Sequence, residues 1–351
     1  HNPADNMLFG YKKADEVRRQ FYLMLWNIYK FFVEYSNLDK WLPNKSKKLD
    51  AVFSSATPPR GPLAIPQKQT SSLLNSKNVL DKWILSRFAG LVISVEKNLK
   101  EFNAKDAALE IEKFVSDLST WFIRRSRDRV WVNSDNEIDK NNFYETLYYV
   151  LVNLSIIISP FIPFIAEEIY TNLTSNESVN LENWPFYSGS TSPTIAQDKP
   201  EINKKLEQEM ETARKVVEFG QAERKLTGIK VRIPLANLNV KAEPELNFKL
   251  VSNEVWDVVL KELNIKNITI NDDFHYPKKE VKVSEEQLVK EGKLRELIRE
   301  IQSQRKLKSF KTDEMIDLVI PNEFENEMQY IGKRVLAKNI KFGNKVEVQS
   351  K

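Results

Sequence analysis

The sequence predicts a mainly α protein, an antiparallel helix bundle followed by a smaller mixed α/β domain. Three observations carry this. Apolar residues step by three and four through residues 78–175, the segments that do so are joined by short polar connections, and alternating strand-like stretches begin only after about residue 228.

The first periodic stretch, Lys12–Leu38, is rich in aromatics (Phe21, Tyr22, Trp26, Tyr29, Phe31, Phe32 and Tyr35) and apolar on more than one side, so a largely buried helix is expected. From Leu42 to Asn78 the pattern dissolves into prolines, serines and lysines, a loop or linker. The period returns in Leu80, Ile84, Phe88, Leu91, Val95, Leu99 and Phe102. Asn103 can cap a second helix, striped by Ala107, Ile111, Phe114, Leu118 and Phe122. A third carries Phe143, Leu147, Val150, Leu154 and Ile157. Pro160 and Pro163 then stop it, and either suits the first turn of another helix.

Beyond a polar stretch from about Ser175 to Pro200, a long helix places Ile202, Leu206, Met210, Ala213, Val217 and Gly220 on one face and ends at Gly228. Strands are expected in VRIPLANLNV, NIKNITI, EVKVS, MIDLVI and KNIKFGNKVEV, with helices near Leu250–Leu263, over Glu285–Lys308 and after MIDLVI. No repeat of 20–50 residues is visible. The expected domains are 1–77, 78–190 and 191–351.

Composition excludes several function classes. Among 351 residues there is no Cys and there are only two His, His1 and His275, which removes disulfides, thiolate metal sites and most nucleophile–histidine pairs. There is no GxxxxGK[ST] loop, no GxGxxG and no GxSxG. Glu167 and Glu168 are adjacent, about 100° apart on a helix, and read as a solvated face. No apolar run reaches a membrane span, and the N-terminus is not a signal peptide; a cytoplasmic, non-catalytic chain without cofactor or metal is expected. With 53 Lys and Arg against 49 Asp and Glu, it is only mildly basic.

One stretch stands apart. WFIRRSRDRVW, residues 121–131, sets Arg124, Arg125, Arg127 and Arg129 between Trp121 and Trp131, within the most acidic third of the chain. On an α-helix, Arg125 and Arg129 share a side with Trp121, and Arg124 pairs with Asp128. Two readings stand. The arginines are the solvated end of a helix, with Arg125 laid over Trp121, or they offer planar donors to phosphates and base edges beside aromatics that stack on unpaired bases. Lys230 and Arg232, in GIKVRIPL, are further candidates, and Lys12, Lys13, Arg18 and Arg19 are weaker ones.

LDKWILSRF, WFIRRSRDRVW, SPFIPFIAEEIY, the NWP of Asn183–Pro185, VVEFGQAERKLTGIKVRIPL and EGKLRELIREIQSQRK occur in the order found in isoleucyl-tRNA synthetases of class I, and the chain resembles their C-terminal, anticodon-binding part. The N-terminal NPADNMLFGYKKADEVRRQFYLMLWNIYKFFVEYSNLD resembles the segment that follows the catalytic domain. The family's HIGH and KMSKS signatures are missing, as are its editing domain and the Cys-rich zinc segment of some members. The resemblance therefore implies a monomeric, tRNA-binding C-terminal fragment without its own ATP site, from a parent that uses ATP and Mg. A non-catalytic scaffold or protein-interaction module, and the equivalent part of a valyl-type relative, are the alternatives.

Overall fold

The computed structural model describes residues 10–43, 76–185 and 201–349, apart from 132, 133, 135, 244, 245 and 312. Most of the expected 42–78 linker and the start of the chain lie outside the described residues. The chain divides into two compact units, His1–Glu207 and Gln208–Lys351.

In the first unit, α1 runs unbroken as Tyr11–Val17, a π-helical stretch Arg18–Tyr22 and Leu23–Leu38. It buries one face only, through Leu25, Ile28, Tyr29 and Phe32, while Tyr22 and Trp26 stay partly exposed, so the expectation of burial on several sides fails. The reason is angular: Leu25, Ile28, Tyr29 and Phe32 form the single stripe that packs, and Trp26 lies about a quarter turn off it. Helices α2 (Val79–Lys100), α3 (Ala104–Asp117), α4 (Glu137–Ile158) and α5 (Pro163–Thr174) form the bundle. Asn78, Asn103 and Asn136 cap α2, α3 and α4, each accepting a backbone N–H inside its helix, and Pro163 occupies the first position of α5. Phe88, Leu91, Val95, Ile111, Phe114, Leu118, Leu147 and Leu154 are all buried. Phe102 departs from its stripe. It adopts φ 57 in the α2–α3 turn and is 97% exposed.

Polar contacts pin the bundle. Arg87 of α2 reaches Asp117 at the end of α3, and buried Lys140 of α4 donates to Asp39 beyond α1 at 2.6 Å. Trp41 packs on Phe32, Tyr144 and Tyr148 and donates to Asn141. Glu167 is not merely solvated, since its carboxylate accepts from Ser178 Oγ and the Val179 N–H.

Helix α6 (Lys204–Leu226) begins at the division and presents Met210, Ala213, Val216 and Val217 to the second core. Gly220 faces Leu263 and Leu238 so closely that a Cβ there would lie 2.6 Å from Leu263 Cδ1. Gly228, at φ +71, ends the helix as expected. There follow β1 (Leu235–Val240), α7 (Asn253–Leu263), β2 (Ile265–Ile270), β3 (Phe274–Tyr276), α8 (Glu285–Leu307), β4 (Ile316–Ile320), α9 (Met328–Val335), β5 (Ala337–Phe342) and β6 (Glu347–Gln349). They form two three-stranded sheets, ordered β1-β2-β3 and β5-β4-β6. EVKVS is not a strand. The Asn267 side chain takes both Val281 backbone groups, accepting from its N–H and donating to its carbonyl, and so supplies a ladder's hydrogen bonds from a single amide. The strand is instead β3, unforeseen because FHY is too short to show a period.

The second unit contains the same plan twice. In each pass a long helix ends in Arg-Lys-Leu (Arg224–Leu226 and Arg305–Leu307), followed by a left-handed residue, Gly228 at φ +71 or Ser309 at φ 56. The next N–H returns to the arginine's carbonyl, Ile229 to Arg224 and Phe310 to Arg305. Both arginines are buried and hydrogen-bonded to backbone carbonyls: Arg224 to Lys230, Ile233 and Asn264, Arg305 to Lys311, Glu314 and Val335. A strand, a helix and a parallel strand complete each pass. The first strand's N–H (Leu235 or Ile316) bonds the carbonyl of a left-handed residue, Asn264 or Leu336. The period is longer than the 20–50 residues of solenoid and propeller repeats.

Candidate nucleic-acid interface

The arginine run is not one α-helix. After α3 the chain widens into a π-helical stretch, Leu118–Ile123, makes a single α turn, Arg124–Ser126, and tightens into a 3-10 turn, Arg127–Val130. This winding buries Trp121, Phe122 and Ile123 consecutively, then Ser126 and Val130. Arg124, Arg127 and Asp128 are exposed; Arg125 and Trp131 are half-buried.

Arg129 turns inward, and its donors are not available to a ligand. Its Nη1 and Nη2 donate to the two Asp81 oxygens at 2.6 and 2.7 Å, and its Nε and Nη2 donate to Asp139 at 2.8 and 2.9 Å. Further bonds reach the Asp139 carbonyl and Ser126 Oγ, and the guanidinium lies 5.4 Å from the Phe143 ring centroid. Asp81 is fully buried and also accepts from Ser76. Burial works against the Arg129 charge, but the two carboxylates outweigh it and raise its pKa. Asp81 and Asp139 each sit in the first turn of a helix, α2 and α4, so both meet the favourable end of a helix dipole as well. The expectation that Arg125 and Arg129 share an open face is therefore corrected. The signal for it was present in sequence, in the matched spacings Asn78–Asp81 and Asn136–Asp139.

Arg125 lies over Trp121, 5.6 Å from the ring centroid, as the spacing predicted. Burial first, then the charges of Arg124 and Arg127, pull its pKa down to about 10. It remains a cation at neutral pH, but in a crowd of like charge. Tyr35, on α1, feels Arg127 as well.

Lys230 and Arg232 belong to the second unit. Lys230 is exposed in the turn after α6, and Arg232 is paired with Glu296 at 3.0 Å. Arg18 and Arg19 both pair with Asp15; Lys12 is exposed. Among the described residues no cluster of three or more His, Asp or Glu is placed to hold a metal ion, and no helix is long and apolar enough to cross a membrane.

The model of the anticodon-binding domain of tRNA ligase matches residues 81–240, from the first turn of α2 to the end of β1. An isoleucine–tRNA ligase of Dehalococcoides mccartyi (strain CBDB1) is 32% identical over 372 residues, covering 98% of this chain and 33% of that protein. The matched stretch is similar to the anticodon-binding domain of tRNA ligases, and the chain as a whole is similar to isoleucine–tRNA ligases. It matches the C-terminal part of the synthetase. The isoleucine–tRNA ligase of Clostridium tetani is 36% identical over 273 residues, 76% of this chain and 22% of that synthetase. The chain spans about a third of the length of the first curated synthetases it matches.

Proposed function

We propose that this chain docks the anticodon arm of an isoleucine-specific tRNA, and that Arg124, Arg125 and Arg127 are its main contacts. The observation that carries the reading is the gathering of these three cations around Trp121, where burial first and then the charges of Arg124 and Arg127 pull Arg125 down to about 10, in a domain similar to the anticodon-binding domain of tRNA ligases. Like charges held together in this way are costly in the free protein, and a polyphosphate relieves the repulsion when it binds. Arg124 and Arg127 reach phosphates. Arg125 and the half-buried Trp131 lie nearest the surface for stacking on an unpaired base, with Trp121 beneath as the platform. Arg129 serves by anchoring the run rather than by touching RNA. Lys230 and Arg232 are secondary contacts, Arg232 at the cost of its pair with Glu296.

Catalysis belongs to the whole enzyme, which on this reading joins isoleucine to tRNA with ATP and Mg, while this part, as a monomer in the cytoplasm, contributes recognition without a cofactor. The test is a salt titration of tRNA affinity for Arg124→Ala with Arg127→Ala. Loss of two phosphate contacts flattens the slope of log K against log salt by up to about 2 units, less for single-stranded loop contacts. The melting temperature should hardly change, since both side chains are exposed. An unchanged slope defeats the proposal. Equal binding of an anticodon-swapped tRNA would leave general polyanion binding in its place.

A further inference from the structure

The duplication in the second unit has one asymmetry. In the first pass the outer edge of β2 is covered by β3, antiparallel, with Ile268 opposite Tyr276 and Ile270 opposite Phe274. In the second pass the third strand, β6, pairs with β4 instead, and the sheet order β5-β4-β6 leaves β5 at the edge. Beside it, between α9 and β5, lies an open groove of about 620 Å³, lined by Met328, Gln329, Gly332 and Lys333 from the helix and by residues 337–341 from the strand.

The two passes can be superposed in register from their left-handed residues, Asn264 and Leu336, which accept equivalent strand N–H groups. Counting back along the helices, Met328 then corresponds to Trp256, Gln329 to Asp257 and Gly332 to Leu260. In the first pass these positions hold β3. Trp256 packs against Phe274 and Tyr276 with ring centroids 5.1 and 5.7 Å apart, and the Tyr276 hydroxyl donates to Asp257 at 3.0 Å. The second pass thus keeps the slot but has exchanged the tryptophan for a flexible methionine and the leucine for glycine. At Gly332 a Cβ would meet Ile340 Cδ1 at 3.2 Å, so a leucine there would intrude on the groove.

We propose that the α9–β5 groove receives an extended acidic peptide from a partner protein, added antiparallel to β5 as a fourth strand, with aromatic side chains at alternate positions seated over Met328 and Gly332. Backbone pairing along the edge supplies affinity, and the alternate pockets supply selectivity. Charge decides the occupant: Lys338 and Lys341 are exposed on the strand and line the groove, and residues 328–346 contain no Asp or Glu. Lysines on a bare edge also repel strands that lack acidic groups, which keeps the edge from pairing indiscriminately. The proposal is independent of the tRNA reading, because it concerns residues that reading does not use.

The chain's own β3 provides a probe. A fluorescein-labelled peptide of the sequence Asn-Asp-Asp-Phe-His-Tyr, copied from residues 271–276, is titrated into the full chain by anisotropy, with amide hydrogen exchange read in parallel. The expected result is saturable binding with slowed exchange confined to β5 and α9. It should weaken by about tenfold or more in the charge-reversed Lys338→Glu with Lys341→Glu. Replacing the peptide's Phe and Tyr by Ala should abolish it, as should Gly332→Leu in a protein whose melt is otherwise preserved. Absence of saturation by about 1 mM, or protection elsewhere in the chain, overturns the proposal. So does protection of β5 by an oligouridylate with none by the peptide, which would make the groove an RNA site.

Discussion

Replacing Arg129 by alanine separates anchoring from recognition. The substitution removes a guanidinium that satisfies two carboxylates, one of them, Asp81, wholly buried, and leaves both without their cation. Breaking a buried ion pair by deleting one partner typically costs about 3–5 kcal/mol, because the remaining charge stays desolvated. The upper part of that range applies here, since two acids are orphaned and the Phe143 ring loses its cation. For a domain of roughly 200 residues each kcal/mol moves the melting temperature by about 2–4 °C, so a fall on the order of 10 °C is expected. The assay is a thermal melt of Arg129→Ala beside Arg124→Ala with Arg127→Ala, with tRNA affinity measured well below both transitions. Arg129→Ala should lower the melt and leave the salt slope of binding near that of the parent, the reverse of the other pair. A double-mutant cycle with Asp139→Ala should return a coupling of about 1 kcal/mol or more. If Arg129→Ala melts within about 2 °C of the parent, a shift worth no more than roughly 1 kcal/mol, yet flattens the salt slope, the inward geometry does not describe the protein in solution and the anchoring argument fails.

Two other outcomes follow from the residues present. The isolated chain, which carries neither a GxxxxGK[ST] nor a GxGxxG motif in its 351 residues, should give no isoleucine-dependent ATP–pyrophosphate exchange; clear exchange by pure protein would place a catalytic site within it. At alkaline pH the fold should loosen in a defined window, because burial pushes Tyr148 up to about 12 while an unfolded tyrosine ionises near 10. The raised value favours the neutral phenol in the folded state, so its contribution is complete below pH 10 and lost as pH rises toward 12. Denaturant midpoints flat from pH 8 to 12 would contradict this.

What could be read from the sequence depended on how locally each feature is encoded. The stripe from Leu80 to Leu99, the Asn103 cap and the Gly228 stop rest on neighbours within a turn or two, and all are in the structure. Arg125 over Trp121 was legible for the same reason. Arg129 was misplaced because its partners, Asp81 and Asp139, are brought in by tertiary packing and because α geometry was assumed through a run that changes its winding. EVKVS was misread because alternation describes any extended segment, whereas a strand needs a partner, and here the partner is the Asn267 side chain. The duplication is hard to see in the sequence because its shared residues are few. Arg224 and Arg305 announce themselves only when the carbonyls around each are seen together.

The change of winding from π to α to 3-10 also fixes the phase of everything after it. A residue advances about 100° in an α-helix, less in the wider π stretch and about 120° in the 3-10 turn. Leu118–Ile123 therefore acts as an angular offset, delaying rotation just enough that Arg129 arrives facing Asp81 while Arg124 and Arg127 arrive facing solvent. The direction of each arginine is set by residues that carry no charge at all. Winding LSTWFI as α instead of π would keep all four guanidinium groups and most of the apolar surface, yet overshoot by roughly one residue's rotation, about 100°, and turn Arg129 out of its socket. The chemistry of this run resides in its composition, and its meaning in its angle.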